Sequence, residues 1–401
     1  MNISVGILTA KHIDFRLEGN YTQKQLPDGV LYEHSSIDDY FELNNVTIGI
    51  GFHWERQETQ RFRGSLKIVR ADGYERAINI VDIECYLESV ISSEMSSTSS
   101  LELLKTHAII SRSWAANAIK SERAVKSEPT FSRSATRIIR YYERDAHQGF
   151  DVCADDHCQR YQGITRICSE NVRKAIEATC GMVLKYGNEI ADTRFYKCCG
   201  GATEPFENVW ANRHYEYLIA QRDSFGELLP DLSDEEQARK WIMSSPKAFC
   251  NTKDRAVLSQ VLNNYDQETA DFYRWRVEYS QAELSDIIYR KSGIDFGIVT
   301  DIEPVRRGPS GRLMEIRISG TKQSMTVGKE LEIRKWLSES HLYSSAFIVE
   351  RTGKGDFVLY GAGWGHGVGL CQIGAAMMAQ EGYGYREILE HYFPHTTLEK
   401  L

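Results

Sequence analysis

The sequence predicts an α+β fold: a β-rich N-terminal part, a helical hairpin carrying the candidate site, mixed strands, and a helical insertion. Three observations predict it. Apolar and polar residues alternate before residue 80, as in half-buried strands. Between 82 and 121 the apolar spacing changes to threes and fours, the period of amphipathic helices. Alternation returns after residue 300 and gives way to a glycine-rich loop.

The elements follow in order. Ile3, Val5 and Ile7, then Val46, Ile48 and Ile50, mark strands; 63–69 marks another, followed by an Asp72-Gly73 turn. In 82–95, Ile83, Leu87, Val90 and Ile91 share one helix face. In 100–121, Leu101, Leu104, Ala108, Ala115 and Ala118 do the same. Ser99 and Glu102 have capping-box spacing, which sets the start of the second helix, and the short loop before it makes a tight hairpin. Residues 122–215 read as short strands and turns. Residues 216–300 read as a helical insertion, with Asp234-Glu235-Glu236 at a helix start and a polar helix over 281–292. Strands recur at 314–318 and 357–360, and helices over about 371–381 and 385–393 follow the glycine-rich loop. The predicted organisation is a β-rich region 1–80, a core 81–215, an insertion 216–300, and strands with a glycine-rich loop over 301–401 that complete the core.

Composition narrows the function. The 401 residues are 42% apolar and 26% charged, an ordinary globular balance with room for two or three packed units. A net charge of −8 disfavours nucleic acid, whose binding depends on neutralising phosphates, and leaves a neutral polymer such as glycan allowed. No apolar run is long enough to span a bilayer. The start reads as a first strand, not a secretory signal, so either the chain stays in the cytoplasm or a leader preceded this numbering. Nine cysteines, odd and dilute, do not make a disulfide scaffold.

Four segments carry candidate chemistry. Glu94 falls at the C-terminal end of the first helix, where the negative end of the dipole favours the protonated carboxyl that a glycosidic acid needs. A solvated surface glutamate is the plainer reading of spacing alone. The loop 361–374 has five glycines in nine residues around Trp364 and His366, so its backbone can approach a ligand closely. It is neither a dinucleotide fingerprint nor a phosphate loop. His147, Cys153, His157 and Cys158 offer a tetrahedral zinc set, with His147, Cys153 and Cys158 the surer ligands; one alternative is a Cys153–Cys158 disulfide, another is His157 as a bystander, because adjacent residues rarely bind one ion together. Cys198-Cys199-Gly200-Gly201 suggests a strained turn, with one of the two cysteines placed to pair with Cys250.

The order of these segments resembles the stage II sporulation protein D family (SpoIID/LytB), which also contains amidase enhancers. The matching patterns are Tyr86-Leu87-x-x-Val90-Ile91-x-x-Glu94-Met95, the helix Leu104 to Trp114, and Cys158-Gln159-x-Tyr161-x-Gly163. Then come Gly200-Gly201-x-Thr203-Glu204 with Trp210, Gly365-His366-Gly367-Val368-Gly369-x-x-Gln372, and Tyr392-Phe393-Pro394. The match covers roughly 80–210 and 357–401. Ser96-Ser97 replaces the proline usual after Glu-Met, Leu370-Cys371 replaces Met-Ser, and no membrane anchor is visible.

The resemblance implies a peptidoglycan lytic transglycosylase that cleaves MurNAc-GlcNAc strands and forms 1,6-anhydro-MurNAc, with Glu94 as catalytic acid and base. The mechanism expected from it has Arg112 orienting Glu94 or the lactyl group of MurNAc, Tyr161, Trp364 and His366 lining the sugar groove, and Thr203, Glu204 and Gln372 as further substrate contacts. The resemblance implies structural Zn2+ held by His147, Cys153, His157 and Cys158. It also implies a cell-wall amidase as partner, a place in the cell envelope or periplasm, and, as the rival reading, a non-catalytic amidase activator. One carboxylate suffices for such a lyase, whereas a hydrolase ordinarily needs two.

Overall fold

The computed structural model describes residues 1–49, 55–96, 99–121, 131–142, 147, 149–155, 157–166, 169–261 and 270–401. The expected strands at the N-terminus form. Asn2–Ala10 pairs antiparallel with Tyr74–Asp82 and parallel with the short Val152–Cys153; Ser65–Ala71, Gly29–His34 and Tyr21–Leu26 continue that sheet. Tyr40–Ile48 lies between Phe15–Glu18 and Arg56–Arg63 in a second sheet. Alternation places Ile3, Val5, Phe41, Leu43, Phe62 and Leu66 in one shared core. Asp72 and Gly73 both take left-handed φ (53° and 77°), the geometry of a two-residue hairpin. Ile50, expected in a strand, lies outside the described residues.

Helix α1 (Ile83–Glu94) begins at Asp82, whose carboxylate accepts the Glu84 N–H at 2.9 Å, and buries Ile83, Tyr86, Leu87, Val90 and Ile91. Helix α2 (Leu101–Ser121) packs against it. The expected capping box does not form. Ser99 Oγ donates to the carbonyls of Ser96 (2.8 Å) and Gln260 (2.7 Å), and Glu102 turns to Lys105 and the Tyr385 N–H. Tertiary partners from residues 260 and 385 outcompete the local reciprocal bonds.

A second core gathers Ile138 with residues from 275 to 359, including Leu284, Ile287, Ile316 and Phe347. Its sheets are Val299–Arg307, Leu313–Gly320 and Ser324–Gly328, joined in parallel by Arg137–Arg140, and a separate trio of Arg274–Tyr279, Phe357–Ala362 and Phe347–Arg351. The 216–300 segment is therefore not wholly helical: beside the helices Glu235–Met243, Arg255–Val261 and Gln281–Ser292 it supplies the strand Arg274–Tyr279. That strand alternates Trp275, Val277 and Tyr279 with charged residues, a period of two that outweighs its polar neighbours.

The tail returns to the first core. After Phe357–Ala362 the glycine loop crosses Cys198, pairing Trp364 N–H with Cys198 O at 2.7 Å. Leu370–Cys371 then pairs parallel with Phe195–Tyr196, and helix Gln372–Gln380 follows. Gly200 and Gly363 face each other at this crossing. A Cβ on Gly200 would meet Gly363 N at 2.7 Å, and one on Gly363 would meet Cys198 O at 2.8 Å. Both have φ near +75° (73° and 76°), so each is glycine for space and for conformation. No described helix is long and apolar enough to cross a membrane.

Candidate active site

Glu94 is half-buried in the last turn of α1, which closes through Met95 N–H to Ile91 O at 2.8 Å. Its Oε1 accepts the backbone N–H of Arg160 at 3.2 Å. The segment that holds it is itself tied along α1. Gln159 Oε1 accepts from Tyr86 Oη at 3.1 Å, and Ser89 Oγ accepts from Gln162 N–H at 3.0 Å. Arg160 also lines a cleft of about 750 Å³, with Leu8, Arg76, Phe150 and His157 among its walls.

That segment follows the His/Cys group directly. The turn Asp155–Cys158 closes through Cys158 N–H to Asp155 O at 3.0 Å and brings the adjacent His157 and Cys158 to one point. His147 Nε2 lies 3.2 Å and His157 Nδ1 3.5 Å from Cys158 Sγ, and the four donor atoms lie within 4.8 Å of one another. Cys153 is a free thiol like Cys158. A hydrogen bond with Cys158 draws the Cys153 thiol down to about 2 against the burial that would raise it, with His147 and His157 adding. Two thiols and two imidazoles are the donor chemistry of a closed zinc site, so the residues fit that ion.

The tail meets the same helix end one residue on. Gln372 Nε2 lies 3.9 Å from Met95 Sδ and 3.1 Å from His107 Nε2. His107, on α2, is fully buried and packs its ring on Phe195 at 4.6 Å. The Gln372 amide donates, so His107 carries its proton on Nδ1, facing Ser111 Oγ at 3.4 Å. The sequence reading passed over His107; its signal was a histidine on the same face as Leu104, Ala108 and Ser111.

Burial first, and the Lys197 charge second, push His107 from 6.5 down to about 3. Between these values the unfolded chain binds a proton that the native imidazole refuses. Stability from His107 is therefore complete above pH 6.5 and falls as pH drops, by roughly 1.4 kcal/mol per pH unit. Unfolding free energies from urea titrations at pH 7 and pH 5 should differ by roughly 2 kcal/mol more in the native sequence than in His107→Gln.

Several residues that the resemblance assigns to substrate are placed elsewhere. Arg112 is fully buried and does not reach Glu94: Nε and Nη2 grip Glu84 at 2.9 and 2.6 Å, and Nη1 donates to Met182 O at 3.0 Å. Glu84 wins because it lies on the first turn of α1, level with Arg112 across the hairpin. Tyr161 is core, stacked between Tyr86 and Phe62 with its hydroxyl on Asn79 Oδ1 at 2.6 Å. Thr203 bridges Ile219 O and Gln221 N–H at 2.8 and 3.0 Å. Glu204 is buried under Ser310 and Asn208; burial raises its carboxyl, and those two bonds oppose it. Gln372 is buried on His107. These are supports beneath a surface, without open faces for a glycan.

The loop residues divide. Trp364 is half-buried and stacks on Tyr343 with ring centroids 4.0 Å apart. His366 has both nitrogens engaged, Nε2–H donating to Phe195 O and Nδ1 accepting Val368 N–H, each at 3.0 Å. Burial, and then Arg194, hold it neutral, well below the usual histidine range. It is a fixed strut of the loop, not a free proton carrier.

Comparison with known proteins bears on this arrangement. Residues 71–186 match the family model described as stage II sporulation protein, SpoIID. Residues 204–369 match a model described as a domain of unknown function, DUF8618. The chain is similar to an amidase enhancer of Bacillus subtilis (strain 168), 24% identical over 325 residues, which cover 78% of this chain and 40% of that protein. It is 21% identical to stage II sporulation protein D of the same organism, over 81% of this chain and 76% of that one. It is 25% identical to an uncharacterised protein of Brachyspira hyodysenteriae, over 91% of this chain and 75% of that one. The chain thus spans less than half of the amidase enhancer and about three quarters of the other two.

Proposed function

We propose that this chain, which belongs to the SpoIID family and so to cell-wall biology, is a lytic transglycosylase of peptidoglycan glycan strands. One observation carries the reading: a half-buried carboxyl at the end of α1, held by the N–H of Arg160, a residue that itself lines a cleft. Protonated Glu94 gives its proton to the oxygen joining MurNAc C1 to GlcNAc, and the C1–O bond breaks. The carboxylate then takes the proton of the same MurNAc 6-hydroxyl as that oxygen closes on C1. The ring ends as 1,6-anhydro-MurNAc, Glu94 is protonated again, and no water is consumed. The Arg160 N–H keeps Glu94 in place through both transfers.

His147, Cys153, His157 and Cys158 are proposed to hold Zn2+, which would fasten the turn leading to Arg160 and leave no open position for water. Removing it with a chelator should lower the thermal midpoint by several degrees, followed by circular dichroism. Whatever activity survives should still give anhydro ends. The place of action proposed is the cell envelope.

The name of the amidase enhancer supports a second reading, in which the chain binds glycan without cutting it and activates a cell-wall amidase. Incubation with peptide-free glycan strands, followed by mass spectrometry, separates the two. Anhydro ends are expected; intact strands together with a stimulated amidase would select the second reading.

A further inference from the structure

Three cysteines and an aspartate, outside the His147–Cys158 group and outside the proposed chemistry, meet at one buried point, with a fourth cysteine next to them in the chain. Cys198 and Cys199 come from the turn after Phe195–Tyr196, Cys250 from the segment before Arg255–Val261, and Cys371 from the cap of Gln372–Gln380. All four are buried free thiols. Cys199 Sγ is 3.2 Å from Cys250 Sγ. The sulfurs of Cys199, Cys250 and Cys371 lie, with a carboxylate oxygen of Asp223, within 4.8 Å of one another. Buried cysteines act as small hydrophobes when they pack singly. Here three segments far apart in sequence bring three of them together.

Two of the sulfurs accept backbone N–H groups. Cys371 Sγ accepts the N–H groups of Cys199 at 3.2 Å and Gly374 at 3.4 Å, and Cys199 Sγ accepts the Gly201 N–H at 3.3 Å. Cys371 also caps a nine-residue helix, whose N-terminus favours negative charge. Arg274 adds a positive charge, fixed on Gly200 O at 3.0 Å. Asp223 accepts the Cys250 N–H at 2.8 Å and Tyr392 Oη at 2.6 Å on different oxygens, so each keeps a lone pair. It aligns Cys250 and is the fourth donor of the group.

We propose that Cys199, Cys250, Cys371 and Asp223 form a second centre for a thiophilic divalent metal of the zinc class. Three thiolates and a carboxylate close a tetrahedral shell and leave no place for water, so the centre is structural. Binding releases the thiol protons to solvent and changes no oxidation state. The ion would clamp the 198–201 turn, the 250 segment and the tail directly beneath the Gln372–His107 contact.

The test uses the full chain loaded with zinc, with metal counted by elemental mass spectrometry and its shell read by zinc X-ray absorption. Cys153→Ser/Cys158→Ser is expected to keep one equivalent with a shell of three sulfurs and one oxygen and no nitrogen. Cys199→Ser/Cys250→Ser is expected to lose one equivalent relative to the unaltered chain. If neither variant folds, the unaltered chain decides: two equivalents with more sulfur than nitrogen in the mean shell are expected. A Cys153→Ser/Cys158→Ser protein without metal overturns the proposal. So does a single equivalent with equal sulfur and nitrogen in the unaltered chain. So does a Cys199–Cys250 disulfide in a peptide map made without reductant.

Discussion

Under the proposed lytic mechanism, Glu94→Gln is expected to fold normally and to release 1,6-anhydro ends about 10²–10⁴ times more slowly, the range that a positioned proton carrier supplies. In barrier terms this is about 3–5 kcal/mol. Glutamine has the same size and keeps a carbonyl oxygen for the Arg160 N–H, so the 3.2 Å contact and the turn behind it persist. What it lacks is an exchangeable proton of the right strength. Circular dichroism and the urea midpoint should match the native sequence, while product analysis should show intact strands. A Gln variant that still forms anhydro ends at the native rate would move the acid to another group.

Glu84→Ala is the largest expected loss of stability, about 3–5 kcal/mol, because it strands a guanidinium with no exposed surface. Arg112 would keep only the carbonyls of Met182 and Ala108, and the Gly181 N–H would lose its acceptor at 3.1 Å. The charge is costly because it is unpaired, so removing both charges should be far milder. Glu84→Leu/Arg112→Met is expected to recover most of the loss. Urea denaturation of the three proteins checks this. A loss below about 1 kcal/mol for Glu84→Ala would mean that water reaches Arg112.

How much was legible follows from what periodicity can encode. The limits of α1 and α2 were readable because apolar spacing states which face is buried and where that face stops. The mixed α+β class was readable for the same reason. Partners across the core were not. Spacing puts Arg112 on a helix face but is silent on whether Glu84 or Glu94 stands opposite. The same limit hid the strand Arg274–Tyr279, whose partner Phe357–Ala362 lies some eighty residues on, and the failed cap at Ser99, whose competitor is Gln260. At the His/Cys group spacing was silent on whether the His157 ring turns toward Cys158; folding brings its Nδ1 to 3.5 Å from Cys158 Sγ.

The contact between Met95 and Gln372 spans 277 residues. A chain leaving the ribosome can coil α1 within moments, yet the floor beside Glu94 is missing until Gln372 emerges. Closing so long a loop is paid in entropy before the contact rewards it. Assembly of this centre therefore belongs to the late, slow part of folding, and mutations in the tail should delay recovery of activity after refolding more than recovery of helix signal.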